Sequence, residues 1–229
     1  MISHRFNPKL SSGYDSFFGL DGSGIIFLNF GYAATDRLFV NLGRSNAQDD
    51  VELEAKYLVF DERQGQYPLS ASLHSSLNWI SEKISGESRL RGATLKLSFQ
   101  VVLSKALGRH GGVAVVPGIL FNPDPAMSGE SPFVTVGLGA RYRIGERFSI
   151  IGEWVPIVSG FQRSSLFGND IRFDSWAGGI EIATTGHVFQ IVGSNTVGLA
   201  TDQYFRGGDL DITDGQVRLG FNIFRVLRF

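Results

Sequence analysis

Cysteine is absent from the 229 residues. That excludes a disulfide framework, a thiolate nucleophile and a thiolate metal site. Long apolar runs are missing as well: there is no stretch of about 18 apolar residues, so no transmembrane helix is expected. The opening Met1-Ile-Ser-His-Arg-Phe6 lacks the charged and then apolar order of a secretory signal. An exported form is therefore expected to carry additional N-terminal residues. Neither sign of charge prevails. With 21 basic against 22 acidic residues, nothing favours nucleic acid as a partner. The 4 histidines are scattered without ligand spacing, so no metal site is expected. No glycine run opens a helix to cradle phosphate, and no cofactor is expected. No repeat, linker or composition break divides the chain, so 1–229 reads as a single domain.

What is present is alternation. Gln216, Arg218, Gly220 and Asn222 are polar or small, while the interleaved Val217, Leu219, Phe221 and Ile223 are apolar. Period two means a strand with one wet and one greasy face. The pattern recurs over about twelve segments of the length a tilted membrane strand needs. They are 1–6 (a clipped first strand), 25–33, 38–46, 51–60, 68–80, 93–104, 113–122, 133–144, 148–158, 174–184, 187–195 and 215–225. Tight turns at 34–37, 145–147 and 185–186 alternate with long polar segments at 7–24, 81–92, 123–132, 159–173 and 196–214, with 47–50 as the one short member of the long set. Outer-membrane barrels pair short periplasmic turns with long outside loops. The expected fold is all-β, a transmembrane antiparallel up-and-down β-barrel. It would sit in the bacterial outer membrane, with both termini periplasmic and the long loops extracellular.

Charge fixes the faces. A lysine at the bilayer midplane facing lipid costs about 2–4 kcal/mol, so Lys96 must point inward, with Gln100 beside it. The same logic turns Glu52, Glu54, Lys56, His74, Arg141, Arg143, Glu153, Glu181 and Arg218 toward the interior. These residues are the expected pore lining. With inside and outside assigned, Trp79, Trp154 and Trp176 fall on the outer face near the long loops. Tyr32, Tyr57, Tyr142 and Phe148 fall on it near the short turns. Two outward aromatic belts are expected of a membrane barrel. A soluble β-sandwich or lipocalin-like barrel, the other reading, would turn its charges outward. One segment resists the scheme. In 113–122 both faces are apolar, since Ala114, Val116 and Leu120 oppose Val113, Val115, Pro117, Ile119 and Phe121. A bulge or a locally apolar lumen is expected there.

Five strings occur together: Phe18-Gly-Leu-Asp21, Thr35-Asp-Arg-Leu38, Arg141-Tyr-Arg143, Gly186-His-Val-Phe-Gln190 and Gly220-Phe-Asn-Ile223. Through them nearly the whole chain resembles a family of bacterial, Bacteroidetes-type outer-membrane β-barrel proteins of unknown function. The segment from Gly186 to Gln190 is the most specific part. The resemblance implies the fold, the compartment and a longer N-terminus with a signal peptide. It supplies no activity and no ligand. The C-terminus resembles the assembly signal of outer-membrane proteins, ending on Phe229 with Arg225 and Arg228 interrupting the apolar positions. That implies the assembly machinery as a partner, besides the lipid bilayer itself.

The interior charges are of mixed sign, so they either pair across the lumen or line a narrow aqueous path. The leading functional expectation is a porin-like passive channel for small polar solutes, with Arg141 and Arg143 as an anion-attracting ladder opposed by Glu52 and Glu54. The alternative is a non-conducting scaffold that displays loops 7–24, 159–173 and 196–214 to an envelope partner. A lipid hydrolase built on His74, Ser76 and Asn78 is the third reading. It is disfavoured because alternate residues on a strand lie about 6.6 Å apart, beyond a nucleophile–base hydrogen bond, and no catalytic residue is assigned. His187 is expected to anchor its turn. The carboxylates Asp209, Asp211 and Asp214 are expected in a solvated outer loop rather than a calcium site. Gly137, Gly139, Gly178 and Gly179 inside strands are expected to relieve crowding or allow curvature.

Overall fold

The computed structural model describes residues 1–123, 131–160 and 173–227. The terminal Arg228 and Phe229, and the parts of the long loops at 124–130 and 161–172, lie outside the described residues. The strands are β1 (Ile2–Phe6), β2 (Gly24–Ala33), β3 (Leu38–Ser45), β4 (Asp50–Phe60), β5 (Ser70–Ile80), β6 (Leu95–Leu107), β7 (Gly111–Phe121), β8 (Phe133–Arg143), β9 (Phe148–Val155), β10 (Ile157–Ser159), β11 (Ser175–Ala183), β12 (His187–Ser194) and β13 (Arg218–Arg225). One short helix, α1 (Thr201–Phe205), lies between the last two strands.

Apart from β10, each strand pairs antiparallel with the next in sequence, β9 passing to β11, and β1 closes on β13 through Ile2↔Ile223 and Arg5↔Gly220. The result is a closed barrel of 12 strands with one extra piece. The extra piece is β10, which continues β9 past Pro156 along β8. Proline has no N–H for the ladder, so the run read as one strand at 148–158 breaks there. The strand read at 93–104 extends to Leu107, and the last begins at Arg218 rather than 215. Hydroxyls tie two of the tight turns. Thr35 Oγ1 accepts from the backbone of Arg37 and Leu38, and Thr184 Oγ1 accepts from His187 N. In the turn at 108–110, Gly108 takes φ +63°, a region that favours glycine.

The cross-section is inverted relative to a water-soluble domain. Among the described residues, 25 polar or charged side chains are buried against 14 apolar ones. The register partners Leu42, Leu53, Leu77 and Leu97 form an outward apolar row on β3 to β6, all of them exposed. On the same strands Ser45, Ser76 and Ser98 are buried inside. Period-two alternation places one set in lipid and the other in the interior. Trp154 and Trp176 are register partners near the long-loop end, and the Trp154 indole donates to Asp174 at 3.2 Å. The Trp79 indole donates to the Arg89 carbonyl in the adjoining long loop. Tyr32, Tyr57, Tyr142 and Phe148 are exposed toward the short turns.

Candidate functional site

The interior holds what alternation alone does not reveal. The last long connection spans 195–217, and the sequence pattern puts its residues 196–214 outside the barrel. Instead its residues 195–210 fold into the long-loop half of the barrel as a plug. Phe205 is fully buried against Leu120 of β7 and Phe133 of β8, with Tyr204 beside them. Val197 packs on Ile25 and Ala47. This explains part of the strand with two apolar faces: on the inner side of β7, Gly118 and Leu120 meet Phe205, while Val116 and Ala114 line the open chambers as a locally apolar lumen. No bulge is needed, although the β6 pairing steps from Gln100↔Gly118 to Leu103↔Val115, passing over Pro117. Irregular backbone is tolerated at membrane depth only when protein surrounds it, and here the wall does so.

Polar contacts fix the plug. Helix α1 is preceded at its N-cap by Ala200, which has no side-chain oxygen to cap the turn, and β4 supplies one. The Glu52 carboxylate accepts from Thr201 N at 2.9 Å and from Thr201 Oγ1 at 2.6 Å. Glu54 accepts from the same hydroxyl at 3.1 Å. Gln203 Nε2 donates to Asp50 at 3.2 Å, while its carbonyl oxygen accepts from Leu199 N and Ala200 N. Gln100 Nε2 donates to the Tyr204 hydroxyl at 2.9 Å. Arg206 pairs with Asp202 at 2.9 Å and reaches Gln48. The wholly buried Asn195 closes the base, donating to the carbonyls of Asp174 and Leu210 and accepting from Trp176 N. Thus three acids on one face of β4 (Asp50, Glu52 and Glu54) hold the plug. They do not stand opposite the Arg141–Arg143 pair.

Several residues singled out from sequence occupy places other than an open pore wall. Glu52 and Lys96 are buried, and Lys96 Nζ donates to the carbonyls of Asn122 and Pro123 at 2.8 and 3.1 Å. Arg218 forms a twofold pair with Asp209 at 2.6 Å, so that carboxylate is not a solvated loop group. Asp211 accepts from Thr213 N and its hydroxyl, a local turn. Arg141 and Arg143 do not make a free cationic ladder: Arg141 pairs with Glu181 at 2.7 Å, and Arg143 donates to the Arg109 carbonyl at the short-turn rim. His74 lies 3.5 Å from Glu54, and Ser76 bonds Ser98 and Asn78. His187 ties its turn through backbone atoms, while its ring stacks on Phe189.

Below the plug the interior is open. One chamber of about 490 Å³ is bordered by Glu54, Lys56, His74 and Gln100 on β4 to β6, by Thr135 and Gly137 on β8, and by Thr201 and Tyr204 of the plug. A second, of about 570 Å³, continues toward the short turns between Arg141, Glu181 and Gln190. Arg5, Gly139, Glu153 and Asn222 border both. Gly139 contributes to this room, because a Cβ there would meet only Ala114, at 3.9 Å.

No curated protein matches the chain. A family model described as "Membrane bound beta barrel domain (DUF5777)" matches residues 1–227. Nearly the whole chain is thereby accounted for, in agreement with the inverted cross-section and the closed sheet: the protein belongs to this family of membrane-bound β-barrel domains.

Proposed function

We propose that this protein is a self-plugged outer-membrane barrel that conducts no solute at rest and serves as a scaffold, with its long loops as the outward surface. One observation carries the reading: the last long loop is bonded into the barrel by three wall acids and an aromatic core at Phe205. The outward surface offers side chains for an envelope partner, since loop 7–23 exposes Tyr14, Phe17 and Phe18. Exposed apolar clusters of this kind mark interaction sites. Strand β13 runs toward the short-turn end, which faces the periplasm in this reading.

A gated channel is the second reading. It is favoured by the open polar chambers beneath a plug made from a single loop. Planar-bilayer recording separates the two. The scaffold reading expects a silent wild type and steady conductance once residues 196–210 are replaced by a short Gly-Ser linker. Spontaneous opening of the wild type would favour the gated channel, and a silent linker variant would remove the plug as the barrier.

A further inference from the structure

The short-turn rim is unevenly charged. One arc carries the connections 34–37 and 61–69. There Arg37, Arg63 and Lys105 are matched by Asp36, Asp61 and Glu62, with Arg63 paired to Asp61 and Lys105 to Glu62. The other arc runs over the turns 108–110, 144–147 and 184–186, with the strand ends beside them, to the end of β13. It holds Arg109, Arg143, Arg147 and Arg225, all exposed, against Glu146 alone, a net charge of +3 among the described residues. Arg141 and Glu181, one step deeper, cancel each other. Arg143 Nη2 donates to the Arg109 carbonyl. Among the described residues, the side chains of Arg109, Arg147 and Arg225 make no hydrogen bond or ion pair.

Backbone bonds make the basic arc contiguous. Arg143 N donates to the His110 carbonyl at 2.8 Å, Ala183 N donates to the Arg147 carbonyl at 2.8 Å, and His187 stands opposite Arg225 in the ladder. Turns 108–110 and 144–147 are two strand spacings apart, about 10 Å, so both border the same stretch of bilayer surface. The wall beside them is apolar and faces out, with Leu107, Tyr142, Ile144 and Phe148 each half exposed or more. Arg109, Arg143 and Arg147 each lie within two residues of one of these side chains. Cation and apolar surface thus interleave where headgroups meet acyl chains. A soluble acidic protein can use the charges but has no access to a wall set in hydrocarbon. A phospholipid offers an anion and apolar chains in that same order.

We propose that this arc is a binding site for an anionic phospholipid of the leaflet at the short-turn end. Arg109 and Arg147 take the phosphodiester, because the guanidinium fork matches phosphate oxygens in pairs. The acyl chains lie along Leu107, Tyr142, Ile144 and Phe148. A zwitterionic phospholipid brings the same phosphate but cancels its charge with an ammonium, so the basic arc selects against it. Each basic side chain near an anionic surface adds roughly fivefold to the attraction, and three net charges give on the order of a hundredfold. The site lies on the rim and the outer wall, so its occupancy is independent of whether the barrel conducts.

The test uses the full chain, folded in detergent, with native mass spectrometry counting bound dioleoyl phosphatidylglycerol against dioleoyl phosphatidylethanolamine. At low salt the wild type is expected to prefer the anionic lipid on the order of a hundredfold, and about 0.5 M salt should remove most of that preference, because exposed charges are screened. Changing Arg109 and Arg147 together to glutamine should lower the preference to roughly fivefold. The same change at Arg37 and Arg63, on the balanced arc, should leave it intact. Heat-modifiable migration checks that the variants are folded, and the wild-type lipid and salt series stands if one is not. A wild-type preference below about tenfold, a preference unaltered in the folded Arg109–Arg147 variant, or an equal loss from either arc would overturn the proposal. Displacement of the lipid by soluble polyglutamate would overturn it too, in favour of an acidic protein partner.

Discussion

Removing the Phe205 ring should free the plug and leave the barrel standing. The ring is fully buried between Leu120 and Phe133, and it lies over Gly118, where a Cβ would come within 2.7 Å of its edge. Phenylalanine-to-alanine changes at packed sites cost about 3–5 kcal/mol, through lost transfer energy and the cavity left behind. When the plug opens locally that contact is lost in any case, so the whole penalty falls on the closed state. Each 1.4 kcal/mol is about tenfold, so the open fraction of Phe205→Ala should rise by roughly two to three and a half orders of magnitude. Amide hydrogen exchange reads this directly. Exchange at the amides of Gln203 to Arg206 should accelerate by that factor, while strand amides at Leu53, Leu77 and Leu97 keep wild-type rates. Those strands are held by ladders on both sides and do not need the plug. Unchanged protection at Gln203 to Arg206 would refute the packing argument. Uniform loss across the strands would show that plug and barrel form a single cooperative unit.

Two further outcomes follow from the fold. Leu53 faces outward and is half exposed, so Leu53→Arg should cost about 2–4 kcal/mol if that position meets hydrocarbon; liposome folding followed by heat-modifiable migration measures it, and a neutral result would place this face in water. Asp61, in the connection after β4, has its carboxyl held down to about 2, chiefly by the Arg63 side chain. A depressed folded value stabilises the turn fully above the ordinary 3.8, and the benefit is lost as pH falls toward 2. The melting difference between wild type and Asp61→Asn should therefore be constant above pH ~4 and close in acid; a difference that persisted at the acid end would contradict the pairing with Arg63.

The barrel was legible because the membrane imposes a rule that every spanning residue obeys. Lys96 can face only inward, and once it does, Leu95, Leu97 and Phe99 must face out, with neighbouring strands following in register. The plug was not legible, because an irregular loop has no period, and 196–214 reads as polar. Its few large apolar residues (Val197, Leu199, Phe205, Leu210 and Ile212) are spaced for no regular element. Two traces of it were nonetheless present. Ala114, Val116 and Leu120 gave one strand an apolar inner face with nothing named to cover it. Asp50, Glu52 and Glu54 put three like charges on one side of a single strand. Ion-pair partners were hidden for a different reason: Arg141 meets Glu181 across an intervening strand, and that depends on register, which alternation leaves open.

A chain without cysteine allows the plug to be located with single thiols. Ala200 is fully buried at the N-terminus of the plug helix, whereas Tyr14 is 82% exposed on the first long loop. A membrane-impermeant maleimide applied to intact cells should label Tyr14→Cys readily and leave Ala200→Cys unlabelled until the barrel is denatured. Rapid labelling of Ala200→Cys in folded protein would mean that the last loop lies outside, and that the barrel is open.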